Sequence, residues 1–263
     1  MMRSLWSAAS GMKTQQDNMD VIAHNISNVN TTGMKKIRAE FQDLLYQTLR
    51  PAGAENGADA QYPEGLQIGL GAKLAATSRI FTEGNLQNSG NPLDVAIEGE
   101  GFFRIDLPDG TVAYTRAGDF KLDSTRRLVT SDGYPLSDGI TFDENAPLDS
   151  ITISSDGKVS DTPAGGTTTQ VGNIQLARFV NPAGLSPIGK NLFLETEASG
   201  APIESEPGTE GAGTLVQSVL EMSNVQIVEE MVNMIVAQRA YESNSKAITT
   251  SDSMLEIANG LKR

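Results

Sequence analysis

The stretch from Leu215 to Asn259 contains neither glycine nor proline, and so long an uninterrupted run reads as one helix. Within it Leu220, Ile227, Met234, Tyr241, Ile248 and Leu255 recur every seven residues. A straight helix does not hold that period, whereas a left-handed supercoil does. Met231, Ala237 and Ala258 widen the stripe. At roughly 1.5 Å per residue the helix would run on the order of 65 Å, longer than the core of a small domain, so much of its seam needs a partner. The N-terminal segment offers one, because Leu5, Met12, Met19 and Ile26 are also spaced by seven, with Ala8, Gln15, Ile22 and Val29 at complementary positions. The competing reading is that both stripes are ordinary core faces of a helical bundle. The methionines at 12, 19, 231 and 234 favour surfaces that repack against other copies. Leu5, Met12, Met19, Ile26, Leu220, Ile227, Met234, Tyr241, Ile248 and Leu255 are therefore the expected subunit-interface residues.

The expected fold class is α+β: long N- and C-terminal helices forming a coiled-coil-like stem, with an all-β, hairpin-rich body inserted between them. The expected divisions are an N-terminal stem helix and turn over 1–33, a connecting arm over 34–65, a β-rich body over 66–197, a linker over 198–214 and the C-terminal stem helix over 215–263. Ser27, Asn28, Asn30, Thr31, Thr32 and Gly33 favour caps and turns and should end the first helix. Residues 34–50 carry Ile37, Phe41, Leu44, Leu45 and Leu49, a set that fits a short helix or a folded-back arm. Phe102 to Leu107, the Asp109-Gly110 turn and Val112 to Thr115 form the strongest hairpin pattern. Further short strands, punctuated by Asp-Gly pairs, point to a curled sheet or small irregular barrel.

The formal charge of -13 is unevenly spread: residues 1–39 carry five basic and two acidic side chains, and residues 40–214 carry eleven basic and twenty-five acidic. That distribution argues against nucleic acid as a partner. No run of eighteen apolar residues is present, and Asp17 and Asp20 interrupt any hydrophobic signal core, so neither direct membrane insertion nor a cleaved signal peptide is expected. Cysteine is absent and His24 is the only histidine, which leaves no material for a thiolate nucleophile, a thiolate metal site or a histidine cluster. Asp94, Glu98 and Glu100 lie close in sequence, but carboxylates are common throughout the chain. Gly65, Gly69 and Gly71 lack the spacing of a phosphate loop. No catalytic residue, metal ligand or cofactor is expected.

Met1 to Met12 and Gln16 to Gly33 closely resemble the N-terminal signature of the bacterial flagellar rod and hook proteins. Ser223 to Val225, Glu229 to Ile235, Gln238 to Glu242 and Asn244 to Ala247 resemble the matching C-terminal signature. Phe41 to Gln47, Gly65 to Gly69, Glu83 to Leu86, Asp94 to Ile97, Gly101 to Phe103 and Tyr114 to Arg116 are similar to the distal-rod members in particular. His24 and Ile26 depart from the family pattern, which usually has asparagine and leucine there. The resemblance implies a non-catalytic structural subunit of the flagellar distal rod, assembling helically into a hollow, torque-transmitting shaft between motor and hook. It implies export without a cleaved signal peptide and a place in the part of the basal body that spans the periplasm. The implied partners are further copies of the chain, other rod proteins, the hook protein, the peptidoglycan-ring and outer-membrane-ring proteins and the export apparatus. A proximal rod protein of the same family is the alternative, and a secreted adhesin or binding module is a more distant one. The resemblance also gives the polar segment from Tyr46 to Pro63, anchored by Pro51 and Pro63, a role as an arm that stiffens the polymer.

Overall fold

The computed structural model describes residues 2–53, 62–143, 147–162 and 168–260. The chain divides into two units, one from residues 1–27, 37–78 and 226–263 and the other from residues 28–36 and 79–225.

Among the described residues the first unit holds two α-helices, α1 (Met2–Ser27) and α2 (Ile227–Gly260). They pair antiparallel. Ser4 and Ser251 hydroxyls meet at 3.3 Å, Asn244 faces Gly11, and Asn25 Nδ2 donates to Glu230 Oε2 at 3.2 Å. Gly11 eases this approach, since a Cβ there would lie 2.8 Å from Asn244 Nδ2 and the amide would have to shift. Asn25 also clasps the backbone of Ile37, donating to its carbonyl at 2.8 Å and accepting from its amide at 3.0 Å. Strand Ile37–Asp43 pairs with Ala72–Arg79, and Tyr46–Arg50 pairs antiparallel with Leu66–Gly69, Tyr46 opposite Gly69 and Arg50 opposite Leu66.

These findings correct the expected fold class. The C-terminal helix does not begin at Leu215. Thr214–Gln217 is a strand paired antiparallel with Val95–Glu98, Ser218 turns the backbone through φ +61°, and Val219–Glu221 pairs with Leu86–Asn88. Lack of glycine and proline permits a helix without requiring one, and β-branched Thr214, Val216 and Val219 suit the pleated surface that long-range pairing supplies. The seven-residue stripe is likewise not a buried apolar seam. Leu220 lies in a strand, and Ile227 and Tyr241 are exposed, whereas the buried residues of α2 are Glu230, Ala237 and Ser251. The buried residues of the two helices, Ala8, Thr14, Ile22, Asn25, Glu230, Ala237 and Ser251, are mostly small or polar and do not make the apolar seam of a coiled-coil-like stem. Of the two readings of residues 34–50, the short helix is overturned, since Ile37–Asp43 and Tyr46–Arg50 are strands.

The second unit consists of small, open antiparallel sheets in place of the expected curled sheet or barrel. The largest runs, in spatial order, Ser186–Gly189, Leu192–Leu194, Val112–Thr115, Phe102–Asp106, Leu176–Arg178 and Ile203–Ser205. The Asp109-Gly110 hairpin forms as its turn chemistry dictates, with Gly110 at φ +82° and Phe103 opposite Thr115. Alternation then sorts the side chains. Phe103, Ile105, Leu176 and Leu192 enter one core, while Phe102, Tyr114, Ala177 and Phe193 enter a second, aromatic cluster with Phe179 and Leu185. Edge-on ring contacts, such as Tyr114 to Phe179 at 4.8 Å and Phe81 to Phe102 at 5.5 Å, hold that cluster.

Candidate assembly surfaces

The segment 221–224 is the point on which the β unit closes. Glu221 is fully buried, as are Lys35 and Arg116. Lys35 Nζ donates to Glu221 Oε1 at 2.5 Å and to the Thr82 carbonyl at 2.8 Å. Arg116 Nε donates to Glu221 Oε2 at 2.9 Å, and its Nη1 reaches the carbonyls of Gly99 and Gly101, each at 2.8 Å. The Gly84 amide completes the carboxylate shell at 3.0 Å. Backbone contacts follow the same course: Gly33 N donates to the Glu221 carbonyl at 2.8 Å, and Asn224 Oδ1 accepts from Lys36 N at 2.7 Å. Asn224 Nδ2 donates to the carbonyls of Ile80 and Thr82.

Burial sets the charge balance of this cluster. It pushes the Lys35 amine below its ordinary pKa, against the attraction of Glu221. Burial also disfavours the Glu221 carboxylate, but Arg116 and Lys35 together outweigh it and hold that group below its usual range. An acid depressed in the folded state contributes stability above its unfolded pKa, near 4.5, that is lost as pH falls through the folded value.

In the helical unit, the pairing leaves an apolar face uncovered on the first turns of α2. At 100° per residue, Val228, Met231, Val232, Ile235 and Val236 form one face opposite buried Glu230 and Ala237. Val228 is 76% exposed and Ile235 56%. Of the interface residues expected from sequence, Leu5, Met12, Met19, Ile26, Met234, Ile248 and Leu255 are half-buried on the two helices. Ile227 and Tyr241 are exposed, and Leu220 belongs to the other unit.

The arm is a two-stranded ribbon with apolar side chains in solvent: Leu45, Tyr46, Leu49, Leu66 and Ile68 are all exposed, Leu45 at 84%. Such a ribbon is at best marginal by itself. Beyond the Arg50–Leu66 pair, at the end far from Tyr46 and Gly69, the ribbon is clamped by the Gly53 amide on the Tyr62 carbonyl at 2.9 Å and by the Arg50 guanidinium 3.5 Å over the Tyr62 ring. A hydrogen bond to Asp43 holds the Tyr46 phenol above its ordinary pKa. Pro51 and Pro63 are exposed, and residues 54–61 of the expected arm lie outside the described residues.

The carboxylates close in sequence do not form an acid–base pair. Asp94 accepts from Asn91 Nδ2 at 2.9 Å, and Glu100 pairs with Arg178 at 3.1 Å. Two clefts in the β unit hold about 80 and 170 Å³, below the roughly 300 Å³ at which small-molecule sites begin. Sequence reasoning missed the Lys35, Arg116 and Glu221 cluster and the outward face of α2. A sign of the first is Glu221 itself, a charge set between Leu220 and Met222. The second was legible as apolar residues at 228, 232, 235 and 236.

Three family models match along the chain: "Flagella basal body rod protein" over residues 5–35, "Flagellar hook protein FlgE/F/G D1 domain" over 96–161 and "Flagellar basal body rod FlgEFG protein C-terminal" over 216–261. The chain is 59% identical to the flagellar basal-body rod protein FlgG of Borreliella burgdorferi over 264 residues, the whole of both chains. It is 47% identical to FlgG of Bacillus subtilis, again over the whole of both. Against the flagellar hook-basal body complex protein FlhP of the same bacterium, identity falls to 31% with both chains fully covered.

Proposed function

This chain belongs to the flagellar basal-body rod protein family, and we propose that within it the chain is the distal rod subunit, polymerising helically into the shaft between motor and hook. It is a structural protein, not an enzyme. The observation that carries the polymer reading is the uncovered apolar face over residues 228–236 of α2. Five aliphatic or thioether side chains on one face lose favourable burial in an isolated chain and regain it against further copies. Similarity supports the assignment within the family, since the drop from 47% to 31% between two proteins of one bacterium favours the FlgG-like member.

On this reading, Leu5, Met12, Met19, Ile26, Ile227, Met234, Tyr241, Ile248 and Leu255 line contacts between copies, and Leu220 contributes from its strand. The ribbon bearing Tyr46, with Pro51 and Pro63 beyond it, lies across a neighbouring copy and restrains bending. The further partners are other rod proteins, the hook protein and the ring proteins, and the chain reaches the periplasm through the flagellar export apparatus. Among the described residues no helix is long and apolar enough to cross a membrane. Electron microscopy of the purified full-length protein tests the proposal. Long straight tubes are expected, and monodisperse particles at all concentrations and salts would refute it.

A further inference from the structure

The buried charge cluster has an order in the chain that its geometry makes consequential. Lys35 lies near the start, Arg116 in the middle and Glu221 at the end of the β unit, yet all three share one dry site. The other groups facing it are the carbonyls of Thr82, Gly99 and Gly101, the Gly84 amide and, acting on Lys35 through space, the Glu83 carboxylate. Neither cation can enter that site unpaired, because burying an uncompensated charge is strongly unfavourable. Among the described residues Glu221 is the one carboxylate that touches both.

We infer that Glu221 is a closing key: the segments around Lys35 and Arg116 cannot complete their packing until the last strand of the β unit delivers its carboxylate between them. Premature closure is thereby blocked while the C-terminal part of the unit is still missing, whether the chain emerges from a ribosome or from a narrow pore. Once residue 221 docks, four segments lock together: 33–36 through Lys35 and the Gly33 amide, 82–84 through Lys35 and the Gly84 amide, 97–101 through Arg116, and the strand end at Arg116 itself. Close backbone approach reinforces the lock, since a Cβ at Gly84 would lie 1.9 Å from the Met222 carbonyl oxygen. A purely structural ion cluster has no reason to impose an order on folding. A closing key does.

The test is refolding of the full-length chain at low concentration, with pulsed amide exchange read by mass spectrometry. In the wild type, residues 33–36, 97–116 and 219–221 should gain protection in one phase. Glu221→Gln should lower the folding equilibrium constant of the β unit by on the order of 10²- to 10³-fold, because two cations are left without their counter-charge. Because that variant can fail to fold, a second replaces the whole cluster by apolar residues of similar size: Lys35→Met, Arg116→Met and Glu221→Leu together. It should fold, and residues 97–116 should become protected before 219–221. Three results overturn the inference: a wild-type chain that protects 97–116 in an earlier phase than 219–221, a Glu221→Gln variant within about threefold of wild type, or an apolar triple variant that stays unfolded or keeps the single phase.

Discussion

Replacing Ile235 with Asp separates assembly from folding. Ile235 is 56% exposed and points away from α1, on the face opposite Glu230 and Ala237. In the isolated chain the substitution touches nothing buried, so its effect on stability should stay within about 0.5 kcal/mol. In an assembly the same position loses the burial still open to isoleucine, about 1–1.5 kcal/mol from a full value of roughly 1.5–3. It also places a carboxylate in an apolar contact, which adds at least about 2 kcal/mol. Together these exceed about 3 kcal/mol per contact, so the critical concentration for polymerisation should rise more than ~100-fold. Sedimentation measures that concentration. Trp6, the only tryptophan and 71% exposed, gives a fluorescence signal on the same helical unit. Amide exchange verifies that the monomer is intact, and Asp252→Asn, exposed elsewhere on α2, serves as control. Assembly of the Ile235 variant within threefold of the wild-type critical concentration would refute the assignment of this face.

Deleting residues 47–62 should leave polymers that form but are curved or more flexible, with a shorter persistence length in electron micrographs; unchanged stiffness with normal packing would count against the arm's role. Asp138, largely buried and close to Asp106 and Glu204, has its carboxyl pKa pushed up to about 6 from 3.8 by burial. The folded state therefore binds the extra proton in that window, and stability falls as pH rises through it. Asp138→Asn, whose carbonyl can still accept from Gln175 N, should raise stability by about 1–2 kcal/mol at pH 7, discounted for partial exposure, and by nothing near pH 3.5. Thermal unfolding at the two pH values checks the sign. Gly118→Ala would set a Cβ 1.6 Å from the Val95 carbonyl oxygen; as backbone cannot step aside, the β unit should lose roughly 3 kcal/mol or more in denaturant titration.

What could be read from sequence was what is written locally. The Asn-rich turn after Ser27 and the Asp109-Gly110 hairpin depend on a few adjacent residues with fixed backbone preferences. The paired terminal signatures carried the family for the same reason. The strands over 214–221 were not legible, because their partners lie at 86–98 and only tertiary pairing chooses strand over helix there. Lys35, Arg116 and Glu221 are scattered across the chain, so no spacing betrays a shared site. On α2 two stripes overlap, one with a period of seven and one marked by Val228, Val232, Ile235 and Val236. The eye follows the regular one, but the structure leaves the other as the larger exposed face.

The helical unit keeps exposed apolar side chains outside a pair whose buried residues are part apolar and part polar, and that links its stability to assembly. Inside the unit, buried Ala8, Ile22 and Ala237 accompany polar contacts of Ser4 with Ser251, Asn244 over Gly11, and Asn25 with Glu230 and the Ile37 backbone. Hydrogen bonds of this kind contribute about 1 kcal/mol each, because water serves the same groups nearly as well when the helices part. Outside, Val228, Met231, Val232, Ile235 and Val236 each retain about 1 kcal/mol of unrealised burial, on the order of 5 kcal/mol for the face. A substantial share of the available stabilisation is therefore intermolecular. Helices built this way order most firmly when other copies cover them, so their protection against exchange should grow with protein concentration, while that of the β unit, closed on its own charges and aromatic core, should not.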